Sequence, residues 1–122
     1  MLSEEVTYLL HQIKDAICRI ESNTSLIDDA DDFYTSPDGM LRLESTCMLL
    51  IAIGESLKGI DKLTNNKLLS KYPQVDWKGA KGMRDIIAHR YFEIDGEVVL
   101  RVAKTKIPEM KMIIIKMISE NQ

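Results

Sequence analysis

The chain has 122 residues, of which 45% are hydrophobic and 29% charged, and its net charge is −3 at pH 7. This length suffices to bury one hydrophobic core but leaves two domains marginal, so we expect a single domain over residues 1–122. The acidic balance argues against a general polyanion-binding protein, and the longest apolar run, residues 47–53, falls far short of the roughly 20 residues that a membrane-spanning helix needs.

Apolar residues at helical spacing run from Val6 to Ile20 and predict a first helix with one buried face. Residues 23–39 lose this period, collect aspartates at positions 28, 29, 31 and 32 and end in the turn signature Ser-Pro-Asp-Gly, so we expect a loop or a short irregular segment there. The aspartates lack the spacing of a calcium-binding loop and its terminal glutamate. We therefore predict no metal site.

A second, central helix is predicted from Met40 to about Lys62, because its apolar residues are spread widely enough to be covered on several sides. Gly54 and Gly59 interrupt it where small residues permit close helix packing. Glu55, beside the first glycine, is interpreted either as a surface glutamate or as an acidic residue that faces a cleft or a partner subunit.

The cysteines and the start of the chain bear on where the protein works. Cys18 and Cys47 fall at apolar positions of the predicted helices, so we expect buried, reduced thiols. The chain does not open with a basic segment followed by an apolar stretch. Both observations favour the cytoplasm.

A third long helix is predicted to follow Asp76, which is placed to cap it. Before it, residues 65–72 are expected to form one short helix that Pro73 ends. The apolar stripe of the third helix consists of residues three and four apart, namely Trp77, Ala80, Met83, Ile87 and Tyr91.

The last part of the chain is predicted to contain a turn and one further helix. Asp95-Gly96 lies between two short apolar segments and indicates either a β-hairpin or a turn into an extended crossing segment. We favour the second, because an isolated hairpin is marginal. Pro108 is expected in the first turn of the final helix. The predicted fold class is therefore all-α, a four- to five-helix up-down bundle.

Residues 84–91, Arg-Asp-Ile-Ile-Ala-His-Arg-Tyr, carry the groups that metal-free RNA cleavage requires. Attack of a 2′-hydroxyl on its own phosphate needs a proton carrier with a pKa near neutrality and a fixed positive charge for the developing anion. His89 and Arg84 supply these. Helical geometry turns the two side chains about 140° apart, so a second copy of the helix across a two-fold axis is a natural way to complete a cleft. Asp85, one turn before His89, would help the helix dipole to stabilise a protonated imidazole.

Charge is divided unevenly along the chain. Residues 1–57 carry three basic and eleven acidic residues, for a net charge of −8, whereas residues 58–122 carry thirteen basic and eight acidic residues, for a net charge of +5. Lys78 and Lys81 precede the motif at a spacing of three, and Arg90 lies within it. We interpret these three residues as RNA contacts, with a solvated helix face as the alternative.

The pattern Arg-x4-His-x-Tyr formed by Arg84, His89 and Tyr91, with polar Asp85 after the arginine, resembles the HEPN superfamily and, within it, the HepT-like toxins of prokaryotic toxin–antitoxin pairs. The resemblance extends over the whole chain. Similar residues occur in the same order at Tyr8-Leu9-Leu10, Ile53-Gly54-Glu55, Tyr72-Pro73, Val75-Asp76-Trp77, residues 91–95 and the Pro108 helix.

The resemblance implies the toxin of a type VII-like HEPN/MNT system: a metal-independent endoribonuclease that needs no cofactor and acts as a symmetric homodimer. Arg84 and His89 of both chains would line its cleft, with Asp85 orienting or polarising the site. It also implies an MNT-type nucleotidyltransferase antitoxin that attaches AMP to Tyr91.

Two other interpretations stand beside this one. In the first, the chain is a catalytically inactive HEPN module that binds a nucleotidyltransferase partner or a nucleotide. In the second, it is a purely structural bundle in which His89 satisfies a backbone carbonyl and Tyr91 packs beneath it. Replacing Arg84 or His89 would then change stability alone.

Overall fold

The computed structural model describes residues 2–121, and these form helices and turns without any strand. The all-helical bundle predicted from the sequence is thereby confirmed. The α-helices are α1 (Glu4–Thr24), α2 (Pro37–Thr64), α3 (Trp77–His89), α4 (Gly96–Arg101) and α5 (Ile107–Glu120). Short 3₁₀ turns lie at Ala30–Phe33, Leu69–Lys71 and Tyr91–Glu93, and a π-helical segment at Val102–Lys106 joins α4 to α5.

Helix α2 is the central element, as its broad apolar surface predicts. It packs against α1 and α3, while α5 packs against α1. The fully buried side chains of the core include Leu10, Ile13, Ile17, Ile20, Phe33, Leu57, Ile60, Ile87, Ile107, Ile114 and Met117. No helix within residues 2–121 is long and apolar enough to cross a membrane.

Side-chain caps determine where α1 and α2 begin. The Ser3 hydroxyl accepts a hydrogen bond from the Val6 N–H at the start of α1. The Ser36 hydroxyl does the same for the Gly39 N–H, so Pro37 occupies the first turn of α2. The helix thus begins three residues before Met40, because the predicted turn signature is its cap and first turn.

Two of the predicted short elements differ from the structure. Residues 65–72 contain only the Leu69–Lys71 3₁₀ turn, because Asn65 and Asn66 adopt left-handed backbone angles (φ 52° and 60°) that end the helix. In the acidic loop, the Asp29 carboxylate caps a 3₁₀ turn that buries Phe33 in the core.

The cysteines are not alike. Cys47 of α2 is buried, and burial together with the nearby Glu44 carboxylate raises the pKa of its thiol to about 11. Cys18 is exposed, so the expectation of a second buried thiol is wrong. The physical reason is the helical period: the buried side of α1 contains Ile17 and Ile20, and position 18 faces away from it.

The prediction of an extended crossing segment after residue 95 is also wrong. The Asp95 carboxylate accepts a hydrogen bond from the Glu97 N–H and starts α4 at Gly96. The final helix, α5, begins at Ile107 and follows the π-helical segment directly, with Pro108 in its first turn, as predicted. Proline removes a backbone donor and crowds the preceding turn. The π-helical segment just before it, in which the Ile107 N–H donates to the Val102 carbonyl, is the kind of local adjustment that admits a proline directly after helical residues.

Candidate active site

The residues of the predicted motif lie at the C-terminal end of α3. The Asp76 carboxylate caps this helix by accepting from the Gly79 N–H at 2.9 Å, as predicted. Trp77 and Ile87 bury its inner face. The helix ends at His89, so Tyr91 falls in the following 3₁₀ turn and does not continue the apolar stripe.

Gly54 brings α2 into very close contact with α3 at Arg84. A Cβ atom at position 54 would lie 2.4 Å from the Arg84 Cβ and 3.4 Å from the Ala80 carbonyl oxygen, so any side chain there would collide with α3. The predicted close packing at Gly54 is confirmed. As a result the Arg84 side chain is only 27% exposed although it carries a charge.

Two carboxylates hold the Arg84 guanidinium. Glu55 Oε1 of α2 lies 2.5 Å from Nε, but off the N–H axis, so this buried N–H has an ionic partner without a well-formed hydrogen bond. Nη1 donates to Asp85 Oδ1 at 3.1 Å. Glu55 therefore faces the site, which was the second of the two interpretations of that residue.

Asp85 is shared between two cations. Its Oδ1 atom accepts from Lys58 Nζ at 2.9 Å as well as from Arg84 Nη1. The pKa of this carboxyl is lowered, chiefly by the Lys58 hydrogen bond; desolvation is the next largest influence and opposes it, and the Arg84 hydrogen bond lowers the pKa further. The expected interaction of the Asp85 carboxylate with His89 is not formed, because the carboxylate points to α2.

His89 is held through the backbone of the same aspartate. Its Nδ1 atom lies 2.8 Å from the Asp85 carbonyl oxygen. A carbonyl can only accept, so Nδ1 carries the proton of this hydrogen bond. Nε2 is left as the proton-accepting atom of the neutral ring, and the side chain is exposed to solvent.

Tyr91 borders a shallow cavity of about 390 Å³ between α2 and the end of α3. Its hydroxyl donates to Glu44 Oε2 at 3.2 Å. Partial burial and this carboxylate raise the pKa of the phenol. The phenol ring meets the fully exposed ring of Phe92 edge-on, with 5.9 Å between centroids.

The three predicted RNA contacts occupy different surroundings. Lys81 is ion-paired with Asp61 of α2. Lys78 lines a cavity of about 700 Å³ between α2, α3 and α5, whose lining contains none of Arg84, His89 and Tyr91. Arg90 is exposed at the end of α3. Only Arg90 lies directly beside the histidine.

The sequence did not indicate two of the residues that contact the motif. Lys58 and Glu44 lie on α2, far from residues 84–91 in the chain, and no spacing within α2 predicts which residue of α3 they meet. The Gly-Glu pair at 54–55 was the available signal for the Arg84 contact. Across residues 2–121, no three His, Cys, Asp or Glu side chains are grouped so that they could hold a metal ion.

Comparison with known proteins gives one family match. The family model described as "Ribonuclease HepT-like" matches residues 13–117. A "Putative RNase" of Methanocaldococcus jannaschii is 31% identical over 93 residues, which cover 73% of this chain and 72% of the relative. A "Gamma-glutamylcyclotransferase and putative RNase" of the same organism is 30% identical over 122 residues, 98% of this chain and 50% of the relative.

A "Probable ribonuclease HepT" of Thermococcus cleftensis is 34% identical over 59 residues, 48% of this chain and 50% of the relative. The chain thus spans about half the length of two of these three relatives. No solved structure gives a significant match.

Proposed function

The chain belongs to the HepT-like ribonuclease family, and we propose that it is a metal-independent endoribonuclease, the toxin of a type VII-like HEPN/MNT toxin–antitoxin pair in the cytoplasm. We further propose that residues 1–122 form one HEPN-like domain. The observation that carries the proposal is the His89 ring, exposed and oriented by the Asp85 carbonyl so that Nε2 is free to exchange a proton.

The proposed reaction uses only the RNA and side chains of the motif. The 2′-oxygen bonds to the adjacent phosphorus, the bond from phosphorus to the 5′-oxygen breaks, and the products are a 2′,3′-cyclic phosphate and a 5′-hydroxyl. His89 Nε2 accepts the proton of the 2′-hydroxyl or delivers one to the leaving 5′-oxygen. Arg84 holds the phosphate as its negative charge is redistributed, and Asp85 orients Arg84.

We propose that the active form is a symmetric homodimer. Arg84 and His89 are five residues apart on α3, which turns them about 140° from each other on one helix. The surface beside the motif is apolar and uncovered: Met48 is 66% exposed and Phe92 completely so, with Tyr91 between them at the shallow cavity. Burial of this surface against its own copy would remove it from water and bring two motifs together.

We propose Tyr91 as the site at which an MNT-type nucleotidyltransferase antitoxin attaches AMP. The phenolic oxygen would bond to the phosphorus of a nucleotide donor, the donor's leaving group would depart, and the phenol proton would pass to a base. Glu44, which already accepts a hydrogen bond from this hydroxyl, is placed to be that base. The added phosphate and nucleotide would repel RNA beside His89.

Arg90, Lys81 and Lys78 are the proposed contacts to the RNA backbone. Arg90 is the best placed, because it adjoins His89 and has no ion pair among the residues that the structure describes. Lys81 would have to exchange its Asp61 partner for a phosphate. Lys78 could reach only a more distant part of the strand.

The test is cleavage of labelled total RNA by purified protein in EDTA, with His89→Ala and Arg84→Ala variants whose folding is verified by circular dichroism. Cleavage by the wild type alone, with 2′,3′-cyclic phosphate ends, is the expected result. Mass spectrometry before the assay ensures that Tyr91 is unmodified. Tyr91→Phe is the matched control for modification: it should remain free of AMP after incubation with the antitoxin and a nucleotide donor.

The second candidate is an inactive HEPN module that binds a nucleotidyltransferase or a nucleotide. The observation in its favour is the double engagement of Arg84 by Glu55 and Asp85, which leaves the guanidinium less available to a phosphate. Failure of unmodified wild-type protein to cleave any RNA, together with retained binding of the antitoxin, would replace the first proposal with this one.

A further inference from the structure

The contact between α2 and α3 supplies a residue that the motif itself does not contain. Gly54 lets the Arg84 stem pass directly over α2, and this places the Nε atom in a buried position. A buried guanidinium nitrogen requires a counter-charge, because desolvation of a cation without a partner is unfavourable. The next residue of α2, Glu55, provides that charge at 2.5 Å.

The two carboxylates contact different nitrogen atoms of the Arg84 guanidinium. Glu55 contacts Nε and Asp85 contacts Nη1. Among residues 2–121 the remaining amino group, Nη2, has no protein acceptor and is not enclosed. With Nε beside Glu55 and Nη1 bonded to Asp85, Nη2 is the amino group that remains for a phosphate to approach.

A residue of α2 also holds Asp85 in place. Lys58, one turn after Glu55, donates to the same Asp85 oxygen that accepts from Arg84. The four side chains form one chain of alternating charge in the order Glu55, Arg84, Asp85 and Lys58. The net charge of these four side chains is zero, so they should orient Arg84 toward the RNA more than they attract the RNA.

We propose that Glu55 is a positioning residue for Arg84: it holds the Nε edge of the guanidinium so that the free amino group, Nη2, faces the scissile phosphate. This inference rests on the proposed ribonuclease function and adds a residue of α2 to it. Glu55 itself does not touch the RNA. Its carboxylate would repel a phosphate, so its benefit must come from the orientation that it imposes on Arg84.

The kinetic test is Glu55→Gln, which keeps the shape of the side chain and removes its charge. The expected result is a loss in kcat of about tenfold or more, because small misplacements of a phosphate-binding group are costly. RNA affinity, measured on a non-cleaving His89→Ala background, is expected to stay equal or increase, since a negative charge has been removed. A kcat that rises would show that Glu55 competes with the phosphate and would overturn the inference, as would an unchanged kcat.

The matched control is Glu21→Gln. Glu21 also forms an ion pair between two helices, with Lys111 at 2.8 Å, and is also partly exposed, but that pair joins α1 to α5. Glu21→Gln should therefore leave both kcat and RNA affinity unchanged. A loss of kcat equal to that of Glu55→Gln would mean that any lost inter-helix ion pair lowers activity, and would contradict a specific role for Glu55.

A second readout does not depend on RNA cleavage. The Arg84 Nε–H resonance, identified by its absence from Arg84→Lys, should exchange slowly with solvent in the wild type and quickly in Glu55→Gln, while Glu21→Gln leaves it slow. Slow exchange retained in Glu55→Gln would show that Gly54 packing alone holds Arg84, and the inference would be wrong. If the wild type cleaves no RNA, the proposed function fails on its own, and this exchange measurement still decides whether Glu55 positions Arg84.

Discussion

The two sides of α2 are built on different principles. Toward α1 the contact is apolar and continuous, with Leu10, Ile17 and Leu57 completely buried. Toward α3 the helices touch through a glycine, and ion pairs cross the contact beside it. Only two residues of α3, Trp77 and Ile87, are buried. We therefore expect the side of α2 that faces α1 to contribute more to folding stability, whereas the other side holds charged groups in place.

Loss of the His89 side chain should separate the two sides of α2 most cleanly, because it should affect RNA cleavage and not stability. His89→Ala should lower RNA cleavage by a hundredfold or more, because the proton carrier is lost, while the exposed position leaves the free energy of unfolding nearly unchanged. Cleavage rates and urea unfolding on the same preparations measure both quantities. His11→Ala, which removes an exposed histidine from α1, is the control and should change neither. Equal cleavage by wild type and His89→Ala would contradict the assignment.

A substitution in the contact between α2 and α1 should lower stability and leave the specific activity unchanged. Ile17→Ala removes a completely buried side chain between α1 and α2 and should lower the free energy of unfolding by about 2–5 kcal/mol. The specific activity of the fraction that remains folded should be retained. Ile86→Ala is the matched control, because the same side chain on α3 is 55% exposed. A loss of stability for Ile86→Ala as large as that for Ile17→Ala would contradict the comparison.

Gly54→Ala tests the contact between α2 and α3, which should affect both the stability of the fold and the position of Arg84. The added methyl group would lie 2.4 Å from the Arg84 Cβ, so the helices must separate, and overpacking of this kind costs about 1–3 kcal/mol. Cleavage should fall as well, because Arg84 moves with α3. Unfolding and cleavage assays again give both numbers.

Gly82→Ala is the control for that substitution. Nothing lies within 4 Å of a Cβ atom at position 82, so alanine should stabilise α3 by up to about 1 kcal/mol through its higher helix propensity. Activity should be unchanged. A Gly54→Ala protein as stable and active as Gly82→Ala would mean that the close approach of the two helices has no role.

The same contrast explains what the sequence could predict. The apolar side of α2 and the face of α1 follow helical periodicity, which depends only on residues near one another in the chain. The caps at Ser3 and Asp76 are equally local. The ion pairs of Arg84 and Asp85 with α2 depend on how two distant helices cross, and no periodicity encodes that crossing.

The position of Pro108 in the first turn of α5 follows from a local rule and agrees with the prediction. The contact of Asp85 depends on distant residues, and its prediction is wrong. Asp85 was paired with His89 because the two are four residues apart on one helix. Lys58, brought close only by the packing of α2 on α3, takes the carboxylate instead.

Loss of the contact between Lys58 and Asp85 should change the free energy of unfolding least. Because Lys58 and Arg84 lower the folded-state pKa of Asp85 below its ordinary value of 3.8, the stability that the contact contributes is present above that value and is lost as the pH falls through the lowered pKa. Lys58→Met should raise the pKa of Asp85, measured by NMR titration of its carboxyl carbon, and should reduce the acid sensitivity of unfolding.

Lys111→Met, which removes the partner of Glu21, should leave the Asp85 titration unchanged. Since both Lys58 and Asp85 are about half exposed, the change in stability should be small and should shrink further in high salt, whereas the change in pKa remains measurable. An Asp85 titration unaffected by Lys58→Met would mean that Arg84 alone holds this carboxylate, and the ion pairs that join α2 to α3 would then be those of Glu55 with Arg84 and of Asp61 with Lys81.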